Sequence, residues 1–165
     1  VANNSAVYET KPTSQELMEE WVALMKSGSG ERGIFNRVSL TNTMPERRTK
    51  YFKQVGFING DSTVRGPVGT NPCGEIILQS KQFCNLSEVI ARKGDSEESL
   101  IRKARLAAIL GTYQSTLTKF NYISKEWTTH CEEERLLGVS ITGQWDSDEV
   151  RKPEMMRKMR ATAWV

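Results

Sequence analysis

The chain has 165 residues, 38% of them hydrophobic and 26% charged, with a net charge of +3, and is long enough to bury roughly 70% of its unfolded surface as a single domain. No apolar run approaches the ~20 residues that a membrane-spanning helix needs, so no membrane partner is expected, and the mild charge, with bases interleaved among acids, does not argue for nucleic acid. Three cysteines, an odd count without dense spacing, do not make a disulfide scaffold and point to reactive or buried thiols.

Both ends read as cut: Val1 replaces an initiator Met, and Ala163-Trp164-Val165 falls inside a helical pattern. The chain is therefore expected to be a piece of something larger, and with no leader-like segment at its start a cytoplasmic location is expected. Residues 1–12, with Asn3-Asn4-Ser5 and Pro12, read as an irregular or extended lead-in. Thr13-Ser14-Gln15-Glu16 has the Thr-x-x-Glu form in which hydroxyl and carboxylate satisfy each other's backbone amides. It predicts a helix with Leu17, Met18, Trp21, Leu24 and Met25 on one apolar face and Gly28 as its stop. The glycine-rich run 29–33 lacks the Gly-Lys-Ser/Thr ending of a phosphate-cradling loop, and 33–38 reads as a short buried strand running into a polar loop.

Thr43-Met44-Pro45-Glu46 repeats the capping pattern and predicts a helix through Tyr51, Phe52 and Val55 to Gly56, with Arg47, Arg48 and Lys50 on a solvated face. Turn residues dominate 60–69. Ile76-Ile77-Leu78 and the run 83–90 read as two extended segments. Asp95-Ser96-Glu97-Glu98 caps the longest helix, to about Lys119. Its apolar positions cover more than one face in the second half, which predicts a buried packing helix. A polar helix over 124–134, a fully buried strand over 136–143 and a basic helix opened by Pro153 complete the chain. Helices alternating with short apolar strands indicate an α/β architecture.

The chemistry concentrates at Asn71-Pro72-Cys73-Gly74-Glu75, followed by Phe83-Cys84-Asn85-Leu86. An amide, a thiol and a carboxylate on alternate residues share one face of an extended backbone. The simplest reading of Cys73 and Cys84 is two small buried hydrophobes, yet Cys73 between Pro72 and Gly74 is better placed to be presented on a rigid tip than packed in a core. A zinc site drawn from Cys73, Cys84, His130 and Cys131 lacks any Cys-x-x-Cys pair. A Cys–His nucleophile pair has His130 as its sole histidine, with nothing in the sequence to bring it to Cys73.

Three blocks, 71–75, Phe83-Cys84-Asn85-Leu86-Ser87-Glu88-Val89 and the run 132–143 (Glu-Glu-Glu-Arg-Leu-Leu-Gly-Val-Ser-Ile-Thr-Gly), together with Asn3-Asn4-Ser5 and the run 111–118, stand in one order along the chain. In that order they resemble the adenosylcobalamin-dependent (class II) ribonucleotide reductases, in particular the monomeric ribonucleoside-triphosphate reductases of bacteria and phages. The resemblance implies that residues 1–165 are a partial catalytic domain, a slice of a ten-stranded α/β barrel with the radical cysteine on a central finger loop. By position, Cys73 resembles the thiyl-forming residue that takes the ribose 3′ hydrogen. Glu75 resembles the base that takes the 3′-hydroxyl proton, and Asn71 the amide that orients the substrate hydroxyls. Cys84 resembles one of the two cysteines that supply electrons and end as a disulfide, its partner lying upstream of this segment rather than at Cys73 or Cys131.

The implied cofactor is adenosylcobalamin and the implied substrate a ribonucleoside triphosphate. A deoxynucleotide effector would bind outside the segment, and a thioredoxin-type reductant would restore the thiols of a monomeric parent. Arg32 stands where the family pattern has Pro, and Cys131 where it carries an ordinary polar residue. A class I reductase with a separate metal-containing subunit is the nearer alternative. A non-catalytic basic module, binding phosphate or nucleic acid through Arg47, Arg48, Lys50 and the helix after Pro153, is the more distant one.

Overall fold

The computed structural model describes residues 4–60, 64 and 68–164. The chain forms two compact units, 1–80 and 81–165, and each is described by itself. The architecture is mixed α/β, but the described strands make three two-stranded sheets rather than a closed barrel.

In the first unit, β1 (Asn4–Tyr8) and β2 (Arg32–Asn36) run parallel, from Asn4 opposite Arg32 to Tyr8 opposite Asn36, with α1 (Ser14–Ser27) between them in sequence. The expected lead-in is thus a strand whose partner lies 28 residues on, a pairing that no local pattern reveals. The helix α1 starts and stops as predicted. Glu16 accepts from the Thr13 backbone N–H at 2.8 Å, the Thr13 hydroxyl accepts from the Glu16 N–H at 3.2 Å, and Gly28 takes φ +60°. Its apolar face stays exposed, with Trp21 at 54% and Met25 at 66%. A bidentate ion pair from Arg32 to Glu20, at 2.8 and 3.0 Å, ties α1 to β2.

A 3-10 turn (Arg37–Ser39) leads into α2 (Leu40–Thr43) and α3 (Glu46–Gln54). The second predicted capping box does not form. Thr43 closes α2, its hydroxyl donating to the Leu40 carbonyl at 3.2 Å, and Pro45 occupies the cap position of α3. Arg48 also departs from the predicted solvated face: it is buried, its guanidinium 5.1 Å from the ring centre of Phe52. Four residues apart on a helix, the two share a face, whereas Arg47 does not. Leu40, Met44, Phe52, Ile58 and Val68 form the core, and over it sits a hairpin of β3 (Val68–Thr70) and β4 (Ile77–Gln79), antiparallel with Thr70 opposite Ile77.

In the second unit, β5 (Asn85–Ile90) and β6 (Leu137–Thr142) are parallel, from Asn85 opposite Leu137 to Ile90 opposite Thr142, with α4 (Glu97–Ser115) and α5 (Lys125–Glu134) between them in sequence. A last helix, α6 (Pro153–Ala163), packs with α4 and the sheet around Val89, Leu100, Ala104, Val150, Met155 and Met159. Two expectations fail here. β6 is not fully buried, because β5 is its sole strand neighbour among the described residues and Ser140 and Thr142 face outward. α4 ends at Ser115 rather than near Lys119 and buries the small stripe Ala104, Ala107, Ala108, Gly111 and Ser115, while Leu106, Leu110 and Tyr113 are more than half exposed. The small residues set how closely the helix approaches the sheet: a Cβ on Gly111 would lie 2.1 Å from Leu137 Cδ1.

Candidate functional site

The stretch 71–76 is the loop of the β3–β4 hairpin, and its local chemistry makes a tight turn rather than the extended backbone predicted. Pro72 holds its φ, and Gly74 takes φ +83°, a conformation that side chains with a Cβ rarely adopt. The Gly74 N–H donates to the Asn71 carbonyl at 3.0 Å, closing the reversal with Pro72 and Cys73 at its centre. Alternation along a strand therefore does not bring the amide and carboxylate together. The turn does.

Asn71 organises this loop from both its backbone and its side chain. Its N–H donates to the Ile76 carbonyl at 3.1 Å, its Oδ1 accepts from the Ile76 N–H at 3.0 Å, and its Nδ2 donates to Glu75 Oε1 at 2.5 Å. Asn71 is buried at 8% exposure, while Cys73 and Glu75 are exposed. The result is an accessible thiol on a rigid corner with a carboxylate held beside the turn by an amide whose own position is fixed on three sides.

Two hollows flank the turn. One, about 260 Å³, is lined by Arg37, Thr70, Asn71 and Pro72 among others. The other, about 320 Å³, is lined by Asn36, Ser39, Thr43, Gly74 and Glu75 among others. Arg37, Ser39 and Thr70 are not singled out by any sequence pattern. They reach the site because β2 ends and β3 begins beside the same turn, and the sole sequence signal is the polar loop after the strand at 33–38.

Cys84 lies in the second unit, half-buried, immediately before β5. Its neighbour Phe83 stacks edge-on with Phe120 at 5.4 Å and tilted against Trp127 at 6.3 Å, which fixes the approach to the strand. Cys131 on α5 is buried. Desolvation pushes its thiol up, and a hydrogen bond with the Phe83 backbone offsets part of that rise. His130 is a half-buried residue of the same helix. Among the described residues no group of three or more His, Cys, Asp or Glu is placed to hold a metal ion, and no helix is long and apolar enough to cross a membrane.

Several basic residues, among them some from the segments considered for a basic surface, form ion pairs with neighbouring acids. Lys50 pairs with Glu46 at 2.8 Å, Lys152 with Glu149 at 2.5 Å, Lys158 with Glu97 at 2.7 Å, and Arg151 with Asp148. Comparison of the chain with protein-family models, with curated proteins and with solved structures gave no match.

Proposed function

We propose that this chain carries part of the active site of a ribonucleotide reductase of the adenosylcobalamin-dependent class, acting on ribonucleoside triphosphates as a slice of its larger catalytic barrel. The observation that carries the reading is the 71–75 turn, an exposed thiol flanked by an amide and a carboxylate that are hydrogen-bonded to each other beside two sugar-sized hollows. In this reading Cys73 exchanges a hydrogen atom with the ribose 3′ carbon, Glu75 takes and returns the 3′-hydroxyl proton, and Asn71 sets the direction of the Glu75 carboxylate. Cys84 supplies one of the two thiols that become a disulfide as the 2′ hydroxyl leaves as water.

The cofactor of that family supplies the radical. The hollows of about 260 and 320 Å³ beside the turn accommodate a sugar but not a corrin ring. No residue of this chain is therefore assigned to hold the cofactor, and no step is derived through it. The deciding experiment is substitution in the full-length enzyme that the resemblance implies, assayed for deoxynucleotide formation with and without adenosylcobalamin. Cys73→Ser should abolish turnover and Glu75→Gln lower it by about 10²–10⁴-fold. Undiminished reduction in either variant would falsify the assignment, and turnover without adenosylcobalamin would move it to the class with a separate metal-containing subunit.

A further inference from the structure

The helix α6 is anchored through Met155 and Met159, buried to 3% and 2% exposure in the core shared with α4 and the sheet. Beside that anchor the neighbouring positions are small. α4 presents Ala104 and α6 presents Ala163, and a methyl group at each leaves space between the helices and the strand. The space is a cavity of about 300 Å³, walled by Leu137, Val139 and Ile141 from one face of β6 and by Met156 and Met159 from α6.

The chemistry of its walls is one-sided. Arg160 is the sole charged residue lining the cavity, and no carboxylate lines it. Among the described residues no acid pairs with Arg160, whereas Lys158 on the same helix meets Glu97 at 2.7 Å and Glu154 at 3.5 Å. Arg160 is exposed, so its guanidinium stands on the solvent side of the cavity, and Trp164, 80% exposed, adds an aromatic surface at the end of the helix. A space walled by apolar side chains holds water poorly, and a free guanidinium on its rim favours a carboxylate or another oxyanion. The combination matches an amphiphile with one negative group and a compact apolar body. The volume lies at the small end of ligand pockets and takes a chain of about eight carbons, well short of a two-chain lipid.

We propose that this cavity binds a medium-chain carboxylate, with the alkyl chain against β6 and Met156 and the carboxylate paired with Arg160. The site lies wholly within the second unit and shares no residue with the 71–75 turn. It does not rest on the reductase reading.

The test titrates the full chain, labelled with ¹³C at the methionine methyl groups, with octanoate and with octanamide, its neutral counterpart. Met156 and Met159 line the cavity, while Met18 and Met25 stand exposed on α1 and Met44 lies in the core of the first unit. The Met156 and Met159 resonances, assigned through Met156→Leu and Met159→Leu, should shift saturably, and those of Met18, Met25 and Met44 should not move. Arg160→Gln, at an exposed position, should weaken octanoate about tenfold and leave octanamide unchanged. Ala163→Leu fills the cavity with a residue that helices accept well and should remove binding of both. Absence of a saturable shift at millimolar octanoate, equal shifts at Met18 and Met25, or unchanged octanoate affinity in Arg160→Gln would each overturn the proposal. Binding that survives in a folded Ala163→Leu chain would place the ligand elsewhere and overturn it as well. Should Ala163→Leu unfold the helix by circular dichroism, the Arg160→Gln comparison alone decides.

Discussion

Asn71 donates from Nδ2 to Oε1 of Glu75 at 2.5 Å, across a turn that leaves Cys73, between them in sequence, exposed to solvent. One residue thereby directs the carboxylate and, through its Oδ1 and backbone N–H, pins the hairpin that carries the thiol. The loop is consequently braced by hydrogen bonds at Asn71 while its thiol stays open to solvent.

Replacing Asn71 by Ala should expose this double role. The Ile76 N–H loses its side-chain acceptor and Glu75 its donor, so the chain should lose about 1–3 kcal/mol of stability in urea unfolding. On the reductase reading proposed above, the same change in the full-length enzyme should lower kcat by about 10²-fold through misdirection of Glu75. A variant with normal stability and normal kcat would show that the hydrogen bond directs nothing.

The three cysteines should differ in reactivity in the native chain. Cys73 is exposed, Cys84 half-buried and Cys131 buried, with the Cys131 thiol pushed up by desolvation and so deprived of thiolate at neutral pH. Alkylation by iodoacetamide, followed by mass spectrometry of peptides, should label Cys73 first and Cys131 last. Under denaturing conditions the order should collapse. Early labelling of Cys131 in the folded chain would contradict its placement.

Asp95 should give the second unit an acid-sensitive element. Lys103, Ser99 and the Arg92 backbone hydrogen-bond to its carboxyl and hold it at about 2, against an ordinary value of 3.8. Because the folded value is the lower one, the unfolded chain takes up the proton first as pH falls. The stabilisation is complete above about 3.8 and is lost as pH drops toward 2. Circular dichroism of unfolding through that window should show the slope in the natural chain. Asp95→Asn should flatten it and cost about 2 kcal/mol at neutral pH.

Two glycines with similar backbones should respond differently to alanine. Gly28 ends α1 at φ +60° with nothing within 4 Å of a built Cβ, so Gly28→Ala should cost only the left-handed penalty of about 1–2 kcal/mol. Gly143 has φ +73°, and a Cβ there would meet the Ala91 carbonyl oxygen at 2.2 Å. Gly143→Ala should therefore cost clearly more, because the backbone at the ends of β5 and β6 must move. Equal urea midpoints for the two variants would show that this approach is not tight.

Much of the secondary structure was legible in the chain because its signals are local. The Thr13–Glu16 box and Gly28 bound α1, Ser96 accepts from the Ser99 N–H at 3.2 Å to start α4, and the extended run 83–90 contains β5. The failures share a cause, since each turns on a neighbour distant in sequence or on a competing local bond. β1 needs β2, and the exposure of β6 depends on which strands flank it. Thr43 had a carbonyl behind it to bond, and Pro45 took the cap position.

For the candidate site, the residue types and their order were determined by the sequence alone: a thiol between Pro and Gly, with an amide and a carboxylate two residues to either side. These are covalent facts, and they imply a thiol presented on a rigid tip rather than packed in a core. The tertiary structure decided that Asn71 meets Glu75 through a turn rather than along a strand, and that Arg37 and Thr70 face the same hollow. Those outcomes depend on the pairing of β3 with β4 and of β1 with β2. Strand pairing is a balance of contacts between distant segments, which no short stretch of the chain contains.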